Sequence, residues 1–218
     1  MPLSNITLII RKIFDDYDEK NGAQQKTDYT QRAQNIVQIW TQSMAKEGLT
    51  TKLICELHRL VCEDEWIPIN DPKGGISGFA KSGEYRNIQV ISPSSLYKDS
   101  KIAHFHPKDI GVSMEKLVTT LNNVFVSNPA QELLIENILA FILEFLIIHP
   151  FANQNGRLAQ VLMELFAFYT GLKAFNISKA IRLNKKAIVI AEEEAILTRN
   201  VNLFLQAIQT INQNAGVA

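Results

Sequence analysis

What this chain lacks narrows its roles before anything it contains is weighed. It has no excess of charge. Its 22 Lys and Arg balance 22 Asp and Glu, so no bulk potential draws it to a nucleic-acid backbone or an anionic membrane. Neither a direct nucleic-acid partner nor a membrane partner is expected. It has only two cysteines, Cys55 and Cys62. Seven residues of one helix would separate them by about 10 Å, too far for a disulfide. They read as buried thiols in a reducing compartment, with the cytoplasm as the expected location. The start, Met1-Pro-Leu-Ser-Asn-Ile-Thr-Leu-Ile-Ile-Arg-Lys, lacks the basic, then apolar, then small-residue order of a secretory signal. Internal repeats and domain-scale linkers are missing too. The 218 residues, 46% hydrophobic, are therefore expected to bury one compact core. Within it, residues 1–48 and 176–218 read as helical flanks around a central segment, 49–175.

What is present is concentrated between Leu133 and Gly171. An apolar helix runs to Ile148, with Glu132, Glu136 and Glu144 at multiples of four marking one wet stripe. Those acids and Asn137 interrupt a run already short for a membrane span. Pro150 has no N–H and disfavours helix in the residue before it, so the helix should end near His149. Ala152-Asn153-Gln154-Asn155-Gly156 tolerates turns and left-handed backbone. A second apolar helix then opens between Asn155 and Arg157. Its first N–H groups lack intrahelical partners and its dipole is positive there, so that end suits an anion. Arg157 adds a guanidinium suited to phosphate. An imidazole facing an anion cradle is a constellation for transfer of a phosphate-containing group.

Elsewhere the pattern is mostly helical. The spacing of Ile6, Ile9, Ile10, Ile13 and Phe14 predicts a helix from Leu3 to Tyr17, and a polar loop follows over Asp18–Lys26. Asp28 is the expected N-cap of a helix from Tyr29 to about Lys46, stopped by Gly48. A third helix runs from Thr50, its expected cap, to Asp64. Trp66–Gly83 reads as irregular, Glu84–Ser92 as a strand by its alternation, and Ser92–Gly111 as a loop. Further helices are expected over Val112–Val126, Ala180–Ala195 and Leu197–Ile211, with a frayed tail beyond. His104 and His106 would face one side of an extended segment, which invites a metal reading, yet no local acid or thiol completes a ligand set. His58 belongs on the partly buried side of its helix.

His149-Pro-Phe-Ala-Asn-Gln-Asn-Gly-Arg157 resembles the signature of the Fic/Doc family, H-P-F-x-[D/E]-G-N-G-R-x-x-R. His149, Pro150, Phe151, Asn155, Gly156 and Arg157 are kept. Asn153 stands for the acid, Gln154 for the first Gly and Gln160 for the last Arg. The resemblance implies a mostly α fold, a Fic-type helical bundle with one small β-hairpin flap. It implies His149 as general base and Arg157 as a second catalytic group. Asn153, Gln154, Asn155, Gly156, Arg157 and Gln160 would bind the nucleotide and its phosphates. ATP would be the donor, with Mg²⁺ at the Asn153 position, where a neutral carbonyl replaces the carboxylate that Mg²⁺ usually prefers.

Gly83-Glu-Tyr-Arg before a strand resembles the family's flap, so Tyr85, Ile88, Gln89, Val90 and Ile91 would dock a target protein by β-pairing. Ser43, Glu47 and Gly48 match the family's inhibitory [S/T]-x-x-x-E-[G/N]. There the Glu pairs with the final Arg of the signature, whose place Gln160 holds. On residue type alone the same window is a helix end and its glycine stop.

Three functions follow. The first is an adenylyl-type transferase acting on a protein hydroxyl, autoinhibited by Glu47. The second is a Fic-fold protein that binds a nucleotide without turnover, or transfers another phosphate-containing group. The third, a metal hydrolase built on His104 and His106, would need bound Zn or Mn. An oligomer is compatible with any of them.

Overall fold

The computed structural model describes residues 2–21, 29–62, 65–70, 76–94, 96–97 and 101–214. In chain order the helices are α1 (Leu3–Asn21), α2 (Tyr29–Glu47), α3 (Thr51–Val61), α4 (Pro107–Ser127), α5 (Gln131–Ile148), α6 (Asn155–Tyr169), α7 (Ile177–Thr198) and α8 (Val201–Asn214). Between α3 and α4 lie strands β1 (Trp66–Asn70), β2 (Ile76–Lys81), β3 (Ile91–Pro93) and β4 (Lys101–Ala103). The expected Asp28 cap and most of the loop before it fall outside the described residues, as does the tail after Asn214.

The architecture is built around α6, whose burial follows from its composition. Leu158, Val161, Leu162, Leu165, Phe166 and Ala167 are all fully buried, so the helix is apolar on nearly every side and must be wrapped. Helices α1, α2, α3, α5 and α7 pack against it. At its far end the Trp40 ring meets Phe166 edge-on at 5.3 Å and Tyr169 at 6.4 Å. Each such side chain contributes about 1.5–3 kcal/mol by leaving water. One buried cluster runs from Ile6 to Ile208 and takes in all three sequence segments.

The sole acid on α6, Glu164, is 1% exposed and accepts the Ile177 N–H at 3.2 Å. It also accepts from Asn176 and Phe175, which tethers the start of α7; burial still pushes it up to about 7.

Helix ends follow local chemistry. Thr50 caps α3 by accepting the Leu53 N–H at 3.0 Å. Gly48 stops α2 at φ +75, and a Cβ there would sit 3.3 Å from the Asn122 amide oxygen. His106 caps α4, accepting the Lys108 N–H at 3.3 Å, and Pro107 occupies the first helical turn. This helix therefore starts before the expected Val112, because proline is welcome at that position. Asn184, at φ −154 and ψ 76, kinks α7.

The strands depart from expectation. In place of one hairpin, the described residues form two small antiparallel pairs, β1 with β2 and β3 with β4. The first was hidden among Pro, Gly and Asp. Its Trp66, Ile67, Ile69 and Phe79 alternate only once the register, Trp66 opposite Lys81 and Pro68 opposite Phe79, is known. Conversely, the strand expected from Glu84 begins only at Ile91. Arg86 holds the backbone before it in a different geometry, described below. Among the described residues no helix is long and apolar enough to cross a membrane.

Candidate active site

The bend between α5 and α6 is fixed from three directions. From within, His149 takes left-handed backbone at φ +51 and its N–H closes the helix on the Phe145 carbonyl at 2.9 Å. The Asn155 side chain then ties the turn shut: it accepts the Phe151 N–H at 3.1 Å and donates to the Phe151 carbonyl at 2.8 Å. Gln154 precedes the helix at φ +62 with no side-chain cap. That conformation is one a glycine adopts without cost and a glutamine does not. Phe151 is fully buried beneath the bend.

From α3 comes His58, fully buried and stacked on Phe151 at 3.8 Å and 7°. Its Nδ1 accepts the Gly83 N–H at 2.8 Å, so the proton resides on Nε2, which donates to the Asn153 carbonyl at 3.0 Å. Burial lowers its pKa to about 4. This ring is neutral, and both nitrogens are occupied.

From the strand region comes Arg86, 3% exposed. Its guanidinium donates to the carbonyls of His149 at 2.7 Å, Ile88 at 2.6 Å, Phe105 at 2.6 Å and Ile148 at 3.1 Å. Its own N–H reaches the Pro150 carbonyl at 2.9 Å. One side chain thus fastens the last turn of α5 to the segments flanking β3 and β4. Four guanidinium bonds to backbone carbonyls replace the carboxylate partner a buried arginine would otherwise need.

The His149 ring emerges at the rim of this framework. It stacks on His104 at 4.2 Å. His104 is held in turn by the Ile147 carbonyl at 3.1 Å and by the Ser92 hydroxyl at 2.8 Å. One His149 nitrogen donates to the Leu146 carbonyl; burial first, then His104, bring its pKa down to about 3. The other nitrogen has no protein partner among the described residues.

Beside it lies a cavity of about 340 Å³ bounded by α1, α5, α6, α7 and α8. His149, Asn153, Gln154, Asn155, Gly156, Arg157 and Gln160 all line it. The first helical hydrogen bond of α6 is Leu158 N–H to the Gln154 carbonyl at 3.0 Å, so the N–H groups of its opening turn face that space with the positive end of the dipole. A Cβ at Gly156 would meet nothing within 4 Å, which leaves room in front of them.

Not every expected residue serves as expected. The Asn155 amide closes the turn, so its contribution to an anion is its backbone N–H. The Asn153 side-chain oxygen accepts the Gln154 N–H at 2.8 Å. With that oxygen engaged, and no group of three or more His, Cys, Asp or Glu suited to a metal among the described residues, the donor set does not fit a strong divalent-ion site. Arg157 is 6% exposed. Its guanidinium lies 5.7 Å from the Phe14 ring, with Nη1 3.5 Å from the Val61 carbonyl, so it forms the cavity wall rather than projecting across it.

Ser43, Glu47 and Gly48 are a clear correction. They end α2 beyond the far end of α6, where Asn122 of α4 grips Leu49 at 3.1 and 2.8 Å. The 15 residues of α6 place about 22 Å between that end and the bend, and none of the three lines the cavity. Glu47 cannot reach Gln160 or a phosphate held at the bend.

The flap residues do converge nearby. Tyr85 packs at 5.6 Å from Phe151, the Ile88 carbonyl receives Arg86, and Gln89 donates to the His104 carbonyl at 2.8 Å. Val90 accepts the His104 N–H at 3.4 Å, and Ile91, 51% exposed, opens β3. His104 and His106 face separate tasks, one beside His149 and the other capping α4. Sequence reasoning missed Arg86 and His58 as organisers of the bend; their partners lie far away in the chain, and only the Gly83-Glu-Tyr-Arg string hinted at the first.

Residues 48–167 match the family model described as Fic/DOC. Solved structures similar to this chain include a Fic domain containing signaling protein from Bacteroides thetaiotaomicron, at 16% identity over 84% of this chain and 69% of that one, with a TM-score of 0.54. A Fic family protein from Desulfovibrio desulfuricans is 16% identical over 98% of this chain and 63% of its own, with a TM-score of 0.60. The N-terminal Fic domain of a Bartonella effector protein is 16% identical over 84% and 81%, with a TM-score of 0.51. At this identity the likeness is one of fold. No curated protein sequence matches the chain.

Proposed function

The chain belongs to the Fic/DOC family, and we propose that it is a transferase that attaches a nucleoside monophosphate, AMP from ATP as the favoured case, to a hydroxyl side chain of a target protein. The observation that supports this is the shared cavity: His149 and the opening turn of α6 face the same space across one short bend. A target Ser, Thr or Tyr hydroxyl beside His149 would give its proton to the unengaged ring nitrogen as its oxygen attacks the α-phosphorus. The bond from that phosphorus to the bridging oxygen breaks, and pyrophosphate leaves. The N–H groups of Asn155 and Gly156 bind phosphate oxygens, and the Arg157 charge stabilises the leaving group from the wall.

At neutral pH the ring is unprotonated, as a base must be, but a pKa of about 3 makes it a weak one. The donor's negative charge would raise it, so basicity develops when the cavity is filled. A Mg²⁺ carried in with the nucleotide would lie beside Asn153, where it would neutralise phosphate charge. The exposed edge of β3 is the proposed docking strand for the target, and the cytoplasm the proposed place of action.

Labelled ATP, CTP, GTP and UTP incubated with a lysate test the reading. Label on protein that disappears with His149→Ala supports it. Equal labelling by that variant overturns the assignment of the base. The engaged Asn153 oxygen favours a second reading, binding without turnover, which predicts nucleotide binding and no label from either protein.

A further inference from the structure

His104 has no task in the proposed transfer, yet its ring lies against the base. The two imidazoles stack at 4.2 Å and 28°, and they are held very differently. The His149 ring has one hydrogen-bond partner, the Leu146 carbonyl one turn back along α5. A bond at one nitrogen leaves much of the ring's swing unopposed, because the outer torsion of histidine has a broad profile. The second nitrogen is useful to a substrate only where it faces the cavity.

The His104 ring is pinned at both nitrogens. Its Nδ1 lies 3.1 Å from the Ile147 carbonyl, which can only accept, so that nitrogen carries a proton. Its Nε2 lies 2.8 Å from the Ser92 hydroxyl, which donates to a neutral ring and accepts from a charged one. Both anchors therefore hold in either ionisation state of His104. The backbone is fixed as well: the His104 N–H reaches the Val90 carbonyl at 3.4 Å, and Gln89 donates to the His104 carbonyl at 2.8 Å. Ile147 belongs to the last turn of α5 and Ser92 to β3. The ring thus bridges the helix that ends in the base and the strand pair beside it.

We infer that His104 is the positioning residue of the base: its pinned ring covers one face of the His149 imidazole and holds the unengaged nitrogen toward the cavity. The inference rests on the transfer reading above and adds to it a residue outside the stretch from His149 to Arg157. His104 does not line the cavity, so it acts on the rate through His149 and leaves donor binding alone. Its removal has two opposed effects. The base loses its alignment, and it also loses a neighbour that lowers its pKa, while the Arg86 charge stays in place. Basicity alone would then raise the rate. A more basic but slower His149 is the signature of lost positioning.

Two measurements on the full chain test this: the initial rate at which labelled ATP marks proteins of a lysate, as the ATP concentration is varied, and the ¹⁵N signals of the His149 ring. His104→Ala should lower the maximal rate roughly tenfold or more, as expected for a displaced reacting group. The KM for ATP should stay unchanged, and the His149 pKa should rise. His104→Phe, which keeps a flat face without ring nitrogens, should recover most of the rate. Ser92→Ala, which keeps the ring and removes one anchor, should fall between wild type and His104→Ala, and it carries the test if the alanine variant does not fold. A His104→Ala maximal rate equal to wild type overturns the inference while the transfer reading stands. So do His149 ring signals that do not move, or a His104→Phe variant as slow as His104→Ala. If the wild-type chain marks nothing, the transfer reading falls, and the ring signals of His104→Ala alone decide whether His104 holds His149.

Discussion

A buried and a half-buried histidine sit on either side of the same bend, and the difference between them separates scaffold from chemistry. His58 and His149 are both neutral, and burial is the leading cause of both lowered pKa values. His58 has each nitrogen in a hydrogen bond, to Gly83 and to Asn153, and stacks on Phe151. It has nothing left to offer a substrate. His149 is bonded at one nitrogen and faces a cavity with the other. A lowered pKa alone would have nominated both; the count of engaged ring atoms nominates one.

The sharpest break of this comparison is in turnover. His149→Ala should lose roughly 100-fold or more of any transfer rate while the fold persists. His58→Ala should act through stability, leaving a buried N–H and a buried carbonyl unpaired at about 1–3 kcal/mol each, read as a fall in Tm. Arg86→Met belongs with His58: it strips the charge-assisted donor from four carbonyls and should cost about 3 kcal/mol or more. A fully active, equally stable Arg86→Met protein would dissolve the distinction between framework and site.

Acid supplies the next test. Both rings have folded pKa values below the ordinary imidazole value of about 6.5, so their contribution is present above that pH and is lost as pH falls through the window down to about 4 for His58 and about 3 for His149. For His58 the loss amounts to about 3 kcal/mol. Denaturant titrations across this range should show the slope, and His58→Gln should flatten it.

Smaller effects sharpen the picture. Gln154→Gly should stabilise by about 1 kcal/mol by removing a side chain from left-handed backbone. Glu47→Gly should change neither transfer nor nucleotide affinity, because Glu47 lies at the far end of α6. A rise in activity in that variant would restore the inhibitory role the sequence suggested.

The parts of the site legible in the sequence are those fixed locally. Pro150 after His149 sets the helix end, Asn155-Gly156-Arg157 sets the next start, and the apolar spacing of Ile6, Ile10, Ile13 and Phe14 sets an inward face. What escaped depends on contacts across the chain. His58 and Asn153 are 95 residues apart, and Arg86 and His149 are 63 apart; no periodicity announces either meeting. Glu47 misled for the same reason, since a short motif says nothing about which end of α6 its helix reaches. The β1–β2 hairpin was lost because turn-forming residues outweighed a few alternating apolar ones.

The most direct measurement of the central claim is a pyrophosphate titration of the ¹⁵N-labelled protein, followed at the imidazole nitrogens and backbone amides. The amides of Asn155 and Gly156 should move together with the His149 ring, whose pKa should rise, while both nitrogens of His58 stay where they are. Amides and His149 that remain still at saturating anion, or a response confined to His58, would contradict the account.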